Sequence, residues 1–369
     1  MGTIKMVINK IVKDLRAVLS DPDRKSILQI LLEFFYCSLA KRCLAVHYFT
    51  NFLYRKETKN ILDYLTEKEA KSIQHIINHP SLSDIASSKL TFIEHFARGG
   101  FPVPKLLAYN LISKLYLNYD GKWEAVELNS DKHLRYYLEN LMNYWNIDEI
   151  FIKLIRGSGG IGARKISRSI LNNQTQIEDL LISLNKDSYV FQEVIKQHPD
   201  IARFNPDTLN TVRIDTFRAP DLEPKILSAM FRIGGSGKCV DNVSSGGVFV
   251  GVNLDTGMLK SSGYNFFHAS DVVQSVRKSP VTGIDFDGFT LPYFQELINT
   301  VIRAAAYLPT ALAGWDVAIS PRGPILIEAN ILYYGILPLN MAYGGYRNHP
   351  VWQEAVKYAR EKANTQRQK

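Results

Sequence analysis

Three oxygen-bearing side chains near the C-terminus have the types and spacing to hold a hard cation. Residues 314–330 read GWDVAISPRGPILIEAN, two apolar runs joined by a Pro-Arg-Gly turn, which predicts a β-hairpin. Asp316 falls early in the first strand. Glu328 and Asn330 end the second, two apart and therefore on one face. Such a hairpin gathers two carboxylates and an amide, and Mg²⁺ takes these oxygens while phosphate and water complete its shell. The alternative is an apolar strand that ends in a solvated carboxylate.

A second group could grip phosphate. Residues 151–166 read FIKLIRGSGGIGARKI: a strand, a glycine-rich turn and a second strand. Backbone N–H groups approach phosphate oxygens where no Cβ intervenes, which nominates Gly159 and Gly160. Lys153, inside the strand, can point at the phosphates beneath that turn, or stand at a sheet edge in water. Gly157, Gly159 and Gly162 match G-x-G-x-x-G, but a dinucleotide fold needs that loop to open a helix. Here it leads into another strand. Residues 234–238 mimic a phosphate loop, yet the first glycine that motif requires is out of register.

The elements that must position these groups change in texture along the chain. Residues 1–84 read as helical, with apolar residues recurring near the helical period and a break at Ser20-Asp21-Pro22. Lys89–Arg98 reads as a helix stopped by Gly99-Gly100, and Phe101–Pro104 as extended chain. A helix is predicted near 131–145 and another over Gln295–Tyr307. Strands are predicted at Glu149–Ile155, Tyr189–Val194, Thr211–Phe217, Lys225–Ile233, Gly247–Asn253, Gly314–Ile319 and Pro324–Glu328. The class is α+β with mostly antiparallel strands, divided into a helical region at 1–84 and a catalytic domain at 85–365.

Composition narrows the function. With 369 residues, 46% hydrophobic and 22% charged, the chain can bury a large core. Three scattered cysteines offer neither a disulfide framework nor a zinc site, and a cytoplasmic setting is the default. No basic stripe interleaved with aromatics suggests nucleic acid. Of the net charge of +8, six arise in residues 1–60, where eleven Lys or Arg face five Asp or Glu. Apolar residues from Ile4 to Leu19 recur at helical spacing among lysines. That segment either packs on its own protein or offers a basic amphipathic surface for peripheral contact at the inner face of a membrane.

Taken in order, these landmarks resemble the ATP-grasp superfamily across roughly residues 85–340. Asp316, Glu328 and Asn330 match its metal signature. Ser88-Lys89 with Phe92 and Gly99–Pro104 resembles its entry segment, whose lysine contacts ATP phosphate; Ser88 stands where Asp is usual. Lys153 and its glycine turn resemble the second phosphate lysine and flexible loop. The run through Gln192, Glu193, Val194 and Ile195 resembles the strand and hinge that hold adenine, and Asp200 sits where relatives place a ribose-binding acid. Arg232 followed by Asn242, Ser245, Gly246 and Gly247 is similar to a substrate-binding region of glutamate-adding and glutathione-synthase-like ligases. Asn210–Arg213 resembles a phosphate- or carboxylate-binding strand, and with residues 198–200 points to the sugar-transfer-associated branch, which is predicted to serve cell-surface polysaccharide synthesis.

The resemblance implies an ATP-dependent ligase that joins a small-molecule carboxylate to an amine, such as an amino acid or amino sugar, through an acyl phosphate. Lys89, Lys153 and one or two Mg²⁺ (or Mn²⁺) would hold the triphosphate. Arg213 and Arg232 would neutralise the transferred group or orient the carboxylate, and Asn242 with Gly246 and Gly247 would cradle phosphate or the tetrahedral intermediate. Competing readings are a small-molecule kinase, a nucleotide-binding scaffold without turnover, and a dinucleotide-dependent dehydrogenase.

Overall fold

Two antiparallel sheets account for most of the strand-forming sequence in the computed structural model, which describes residues 18–157, 159–220, 222–235, 247–265, 275–331 and 336–367. The amphipathic run from Ile4 to Leu15 lies outside these residues. Helices α1 (Ile27–Lys41) and α2 (Glu67–Ile77) come first. Ser26 caps α1 and Thr66 with Glu69 forms a capping box on α2, each satisfying amides that a helix leaves unpaired. Helix α3 (Lys89–Arg98) matches its predicted bounds because Ser88 Oγ accepts the Thr91 N–H and Gly100 takes φ 72° after the last turn.

The first sheet has six strands in the order β3-β2-β1-β6-β4-β5. They are β1 (Leu106–Leu111), β2 (Lys114–Tyr119), β3 (Lys122–Glu127), β4 (Glu149–Leu154), β5 (Arg164–Ser167) and β6 (Tyr189–Glu193). Helices α4 (Asp131–Trp145) and α5 (Gln174–Lys186) cover one face, burying Leu134, Leu138, Ile177 and Leu180 against Ile150, Ile152 and Phe191.

The second sheet has seven strands in the order β11-β10-β9-β8-β7-β12-β13. These are β7 (Thr211–Phe217), β8 (Lys225–Ile233), β9 (Val248–Val252), β10 (Leu259–Asn265), β11 (Ser275–Val276), β12 (Leu312–Ser320) and β13 (Gly323–Asn330). Helix α6 (Phe294–Tyr307) and α3 cover one face, with Leu297, Val301, Phe92 and Phe96 against Ile214, Phe231 and Trp315. On the opposite face, helices α7 (Leu337–Tyr343) and α8 (Pro350–Arg367) and the N-terminal helices cover one end. Strand β12, shielded on both faces, is buried along its whole length, which explains its near-continuous apolar sequence. Two buried asparagines tie the N-terminal segment down. Asn340 exchanges bonds with the Leu65 backbone at 3.1 and 2.8 Å, and Asn78 does the same with Leu312 at 2.7 and 2.9 Å. Among the described residues no helix is long and apolar enough to cross a membrane.

The uncovered end of that second face turns toward the first sheet. Between the two sheets lies the site.

Candidate active site

Strand register decides which side chains meet. Asp316 on β12 stands opposite Arg213 on β7 and Glu328 on β13, while Thr211 stands opposite Arg232 on β8. A register shift after Asp316 inserts an extra residue into β13, a bulge of the kind that re-aims side chains near functional sites. The result is a cavity of about 1070 Å³. The second sheet lines it with Arg213, Arg232, Asp316, Glu328 and Asn330, and the first lines it with Lys153, Gln192 and the hinge. Single-ligand pockets run to roughly 1,000 Å³, so this volume suits a large ligand or two.

Asp316 is the centre of the charge network. Its Oδ1 accepts from Arg213 Nε at 2.5 Å and from Arg232 Nη1 at 2.8 Å, and its Oδ2 from Arg213 Nη2 at 3.0 Å. Burial works against this carboxylate, but the two guanidiniums outweigh it and hold its pKa far below the usual range. The same pairing, again against burial, raises that of Arg213. Glu328 moves the other way: burial first, then the adjacent Asp316 charge, push its pKa up against the pull of Lys89 and Lys153. Next along β7, burial lifts Asp215 to about 6 while Ser228 Oγ donates to it at 2.6 Å.

Across the cavity, Lys153 is 7% exposed, and its ammonium makes no hydrogen bond or salt bridge among the described residues. Burial, helped by the Lys89 charge and opposed by Glu328 and Asp316, brings its pKa down to about 8. Lys89 opens α3 and reaches the turn, its Nζ 2.7 Å from the Gly157 carbonyl. Gly159 and Gly160 take φ of 71° and 73°, the left-handed region that glycine enters without strain; both line the cavity.

Two buried amide groups at the wall have no hydrogen-bond partner among the described residues: Gln192 Nε2 and Asn330 Nδ2. Since an unpaired buried donor costs about 1–3 kcal/mol, they fit a ligand that accepts hydrogen bonds. Glu193 uses its carboxylate to accept the Lys105 N–H at 3.0 Å. Val194 and Ile195 line the cavity beyond the end of β6, outside the sheet ladder.

The structure therefore brings together Lys89, Lys153, Gly159, Gly160, Gln192, Glu193, Val194, Ile195, Arg213, Arg232, Asp316, Glu328 and Asn330. Two expected residues stand elsewhere. Asp200 does not line the cavity; it is half exposed, with its carboxylate 3.7 Å from His198 Nδ1. Gly247 is buried ahead of β9 and is not a lining residue. Asn242, Ser245 and Gly246 lie outside the described residues. Asn210 stands behind the wall, donating to the Ile201 and Asn205 carbonyls at 3.3 and 2.9 Å. Sequence reasoning passed over Arg156, Lys165 and Lys196, which also line the cavity; their proximity in sequence to the glycine turn and the hinge was the available signal.

No group of three or more His, Cys, Asp or Glu suited to a metal gathers among the described residues. The oxygen set is two carboxylates and one amide. It suits Mg²⁺, which one or two carboxylates hold when phosphates supply the rest.

The profile of a family described as sugar-transfer associated ATP-grasp matches residues 68–349. No curated protein matches the chain. Among solved structures, D-alanyl-alanine synthetase A from Vibrio cholerae O1 biovar eltor is 12% identical with a TM-score of 0.46, covering 78% of this chain and 68% of that one. A D-alanine–D-alanine ligase from Bacillus anthracis, complexed with ATP, is 12% identical with a TM-score of 0.42 over 82% of this chain and 77% of its own. The ATP-grasp ligase PsnB, complexed with a minimal precursor, is 12% identical with a TM-score of 0.39 over 76% and 64%. The chain thus spans less than two thirds of PsnB.

Proposed function

This chain belongs to the sugar-transfer associated ATP-grasp family, and from that premise we propose that it is an ATP-dependent ligase joining a small-molecule carboxylate to an amine in cell-surface polysaccharide or glycoconjugate synthesis. The single observation that carries the reading is Lys153. A buried ammonium without a hydrogen-bonded partner among the described residues, facing a cavity of about 1070 Å³, calls for an anion, because an unpaired buried charge is costly. A nucleoside triphosphate supplies one. Gln192 Nε2 and the hinge suit the base, and Lys89, Lys153 and the glycine turn suit the phosphates.

The chemistry follows from charge. A carboxylate is a poor electrophile because oxide is a poor leaving group. Attack of its oxygen on the γ-phosphorus, with loss of ADP, gives an acyl phosphate; attack of an amine on the acyl carbon then expels phosphate and loses a proton. Phosphoryl transfer needs positioning and neutralisation of spreading charge more than covalent help. Mg²⁺, when bound, supplies neutralisation at the phosphate oxygens, and Glu328, Asn330 and Asp316 are the residues that would hold it. Arg213 and Arg232 keep the Asp316 carboxylate ionised and fixed, so the oxygen set is built before any ligand arrives.

The test is phosphate release across panels of amino acids, amino sugars and uronic acids with Mg-ATP. We expect release only when carboxylate and amine are both present, and a loss of about 10²–10³ in the Glu328→Gln variant. Accumulation of a stable phosphorylated product with no amine requirement would replace the ligase by a kinase. Unchanged turnover in Glu328→Gln would remove the metal role.

A further inference from the structure

Helix α1 presents to water the side chains that a soluble helix hides. Leu28, Leu31, Leu32, Phe35, Tyr36 and Leu39 are exposed by 49% to 79%. At about 100° per residue these six fall within less than half of the helix circumference. The opposite side is the packed one, where Ile30 and Cys37 are buried. Neither charge on α1 interrupts the exposed arc. Glu33 is bound to Lys25 at 2.7 Å and accepts from Tyr48 at 2.8 Å; Lys41 donates to the Tyr64 carbonyl at 2.9 Å and pairs with Glu69 at 3.3 Å. Leu44 and Val46, 70% and 56% exposed, prolong the patch beyond the helix. A contiguous apolar surface on this scale marks a contact region.

We infer that this face docks on an anionic phospholipid bilayer, with α1 lying in the plane of the interface. The border of the patch selects the occupant. Arg42, directly after the helix, is exposed, and so is Lys56, whose ammonium lies 3.4 Å from the Pro22 carbonyl near the other end. Of the nearby acids, Asp21, Glu33 and Glu69 are paired with Arg55, Lys25 and Lys41, and the exposed Asp23 and Glu57 are outnumbered by Arg24, Arg42, Lys56 and Lys59. An apolar face inside a positive border is complementary to acyl chains beneath anionic headgroups. Two copies placed face to face would instead oppose like charges. At 15 residues the helix falls short of the roughly 20 needed to span a bilayer, so the contact is peripheral.

The experiment is flotation of the full chain with vesicles of phosphatidylglycerol mixed into phosphatidylcholine, against phosphatidylcholine alone. The protein should float with the anionic vesicles, and less so as salt rises. Leu32→Glu with Phe35→Glu should lower partitioning at least about tenfold, since each loses the burial of a large apolar side chain. Both positions are exposed, so the urea midpoint of the double variant should equal that of wild type, separating lost docking from lost fold. In a Phe35→Trp variant, brominated lipid should quench the indole. No flotation, or equal flotation of the double variant, overturns the inference. So does a wild-type dimer in light scattering that the double variant dissolves, because the face would then belong to a second copy.

Discussion

Replacing Asp316 by alanine should destabilise the protein well beyond the loss of one carboxylate. The side chain is 6% exposed and accepts bonds from Arg213 at 2.5 and 3.0 Å and from Arg232 at 2.8 Å. Alanine would take the acid they share from two largely buried guanidiniums, 16% and 14% exposed. Breaking a buried ion pair from one side costs about 3–5 kcal/mol. Two pairs share this acid, which argues for the upper end; Glu328 can ionise once Asp316 no longer suppresses it, which argues for the lower. About 3 kcal/mol is the working figure. The assay is urea unfolding followed by far-UV circular dichroism, comparing midpoints at constant slope. The sharper form is a cycle with Arg213→Met. That substitution alone should destabilise, yet in the Asp316→Ala background it removes a buried cation that has lost its paired acid and should restore about 1–3 kcal/mol, a non-additivity expected of contacting charges. Strict additivity, or a loss under about 1 kcal/mol for Asp316→Ala, would refute the network.

Two further outcomes follow from buried charges. Lys153→Met should leave the nucleotide-free protein as stable as wild type or more so, because it removes a buried ammonium that has no hydrogen-bonded partner among the described residues, while stabilisation by Mg-ATP is lost and turnover falls about 10²–10³; thermal shift with and without Mg-ATP reads both, and an undiminished shift would sink the phosphate role. His47 is held down at about 4 by burial and then by the Lys41 charge, so its contribution to stability is complete above the unfolded pKa near 6.5 and is lost as pH falls toward 4. That amounts to about 2 kcal/mol between roughly pH 7.5 and 5, and His47→Asn should abolish that share of the pH dependence. Asp215, raised to about 6 by burial, stabilises in the opposite sense as pH falls, but it acts equally in both proteins, so the difference between their urea midpoints isolates His47.

What could be read without coordinates depended on how local the cause was. Strands Thr211–Phe217 and Lys225–Ile233 and helix Lys89–Arg98 have the bounds their sequences predict, because apolar alternation, a serine cap and a glycine pair are all written within a few residues. Strands β1, β2 and β3 passed unnoticed. Lys122–Glu127 is exposed at every position but one, so no burial period marks it, and only pairing with β2 makes it a strand. The oxygen triad was legible from its spacing on one hairpin. Arg213 and Arg232 were nominated too, but not their pairing with Asp316, since the bond from Arg213 to Asp316 joins residues 103 apart in sequence and rests on register. Asp200 was nominated by motif position alone; it lies in a short helical turn, Pro199–Ala202, whose Pro199 and Ala202 line the cavity while its own carboxylate stands toward water beside His198.

That distinction changes how the metal signature itself should be understood. As sequence, Asp316, Glu328 and Asn330 describe a place of surplus negative charge, ready for a cation. As structure, one of the acids is already matched by two guanidiniums, the other has its charge disfavoured by burial and by its neighbour, and Lys89 and Lys153 act on that second acid from across the cavity. The balance of the site is positive. Such a cavity attracts a polyanion and repels a bare divalent ion, so the proposed oxygen ligands become useful to a cation only when phosphate oxygens accompany it and offset the arginines and lysines. The signature and the phosphate lysines, more than 160 residues apart, are in this sense one site. Neither half has the charge to do its proposed work without the other.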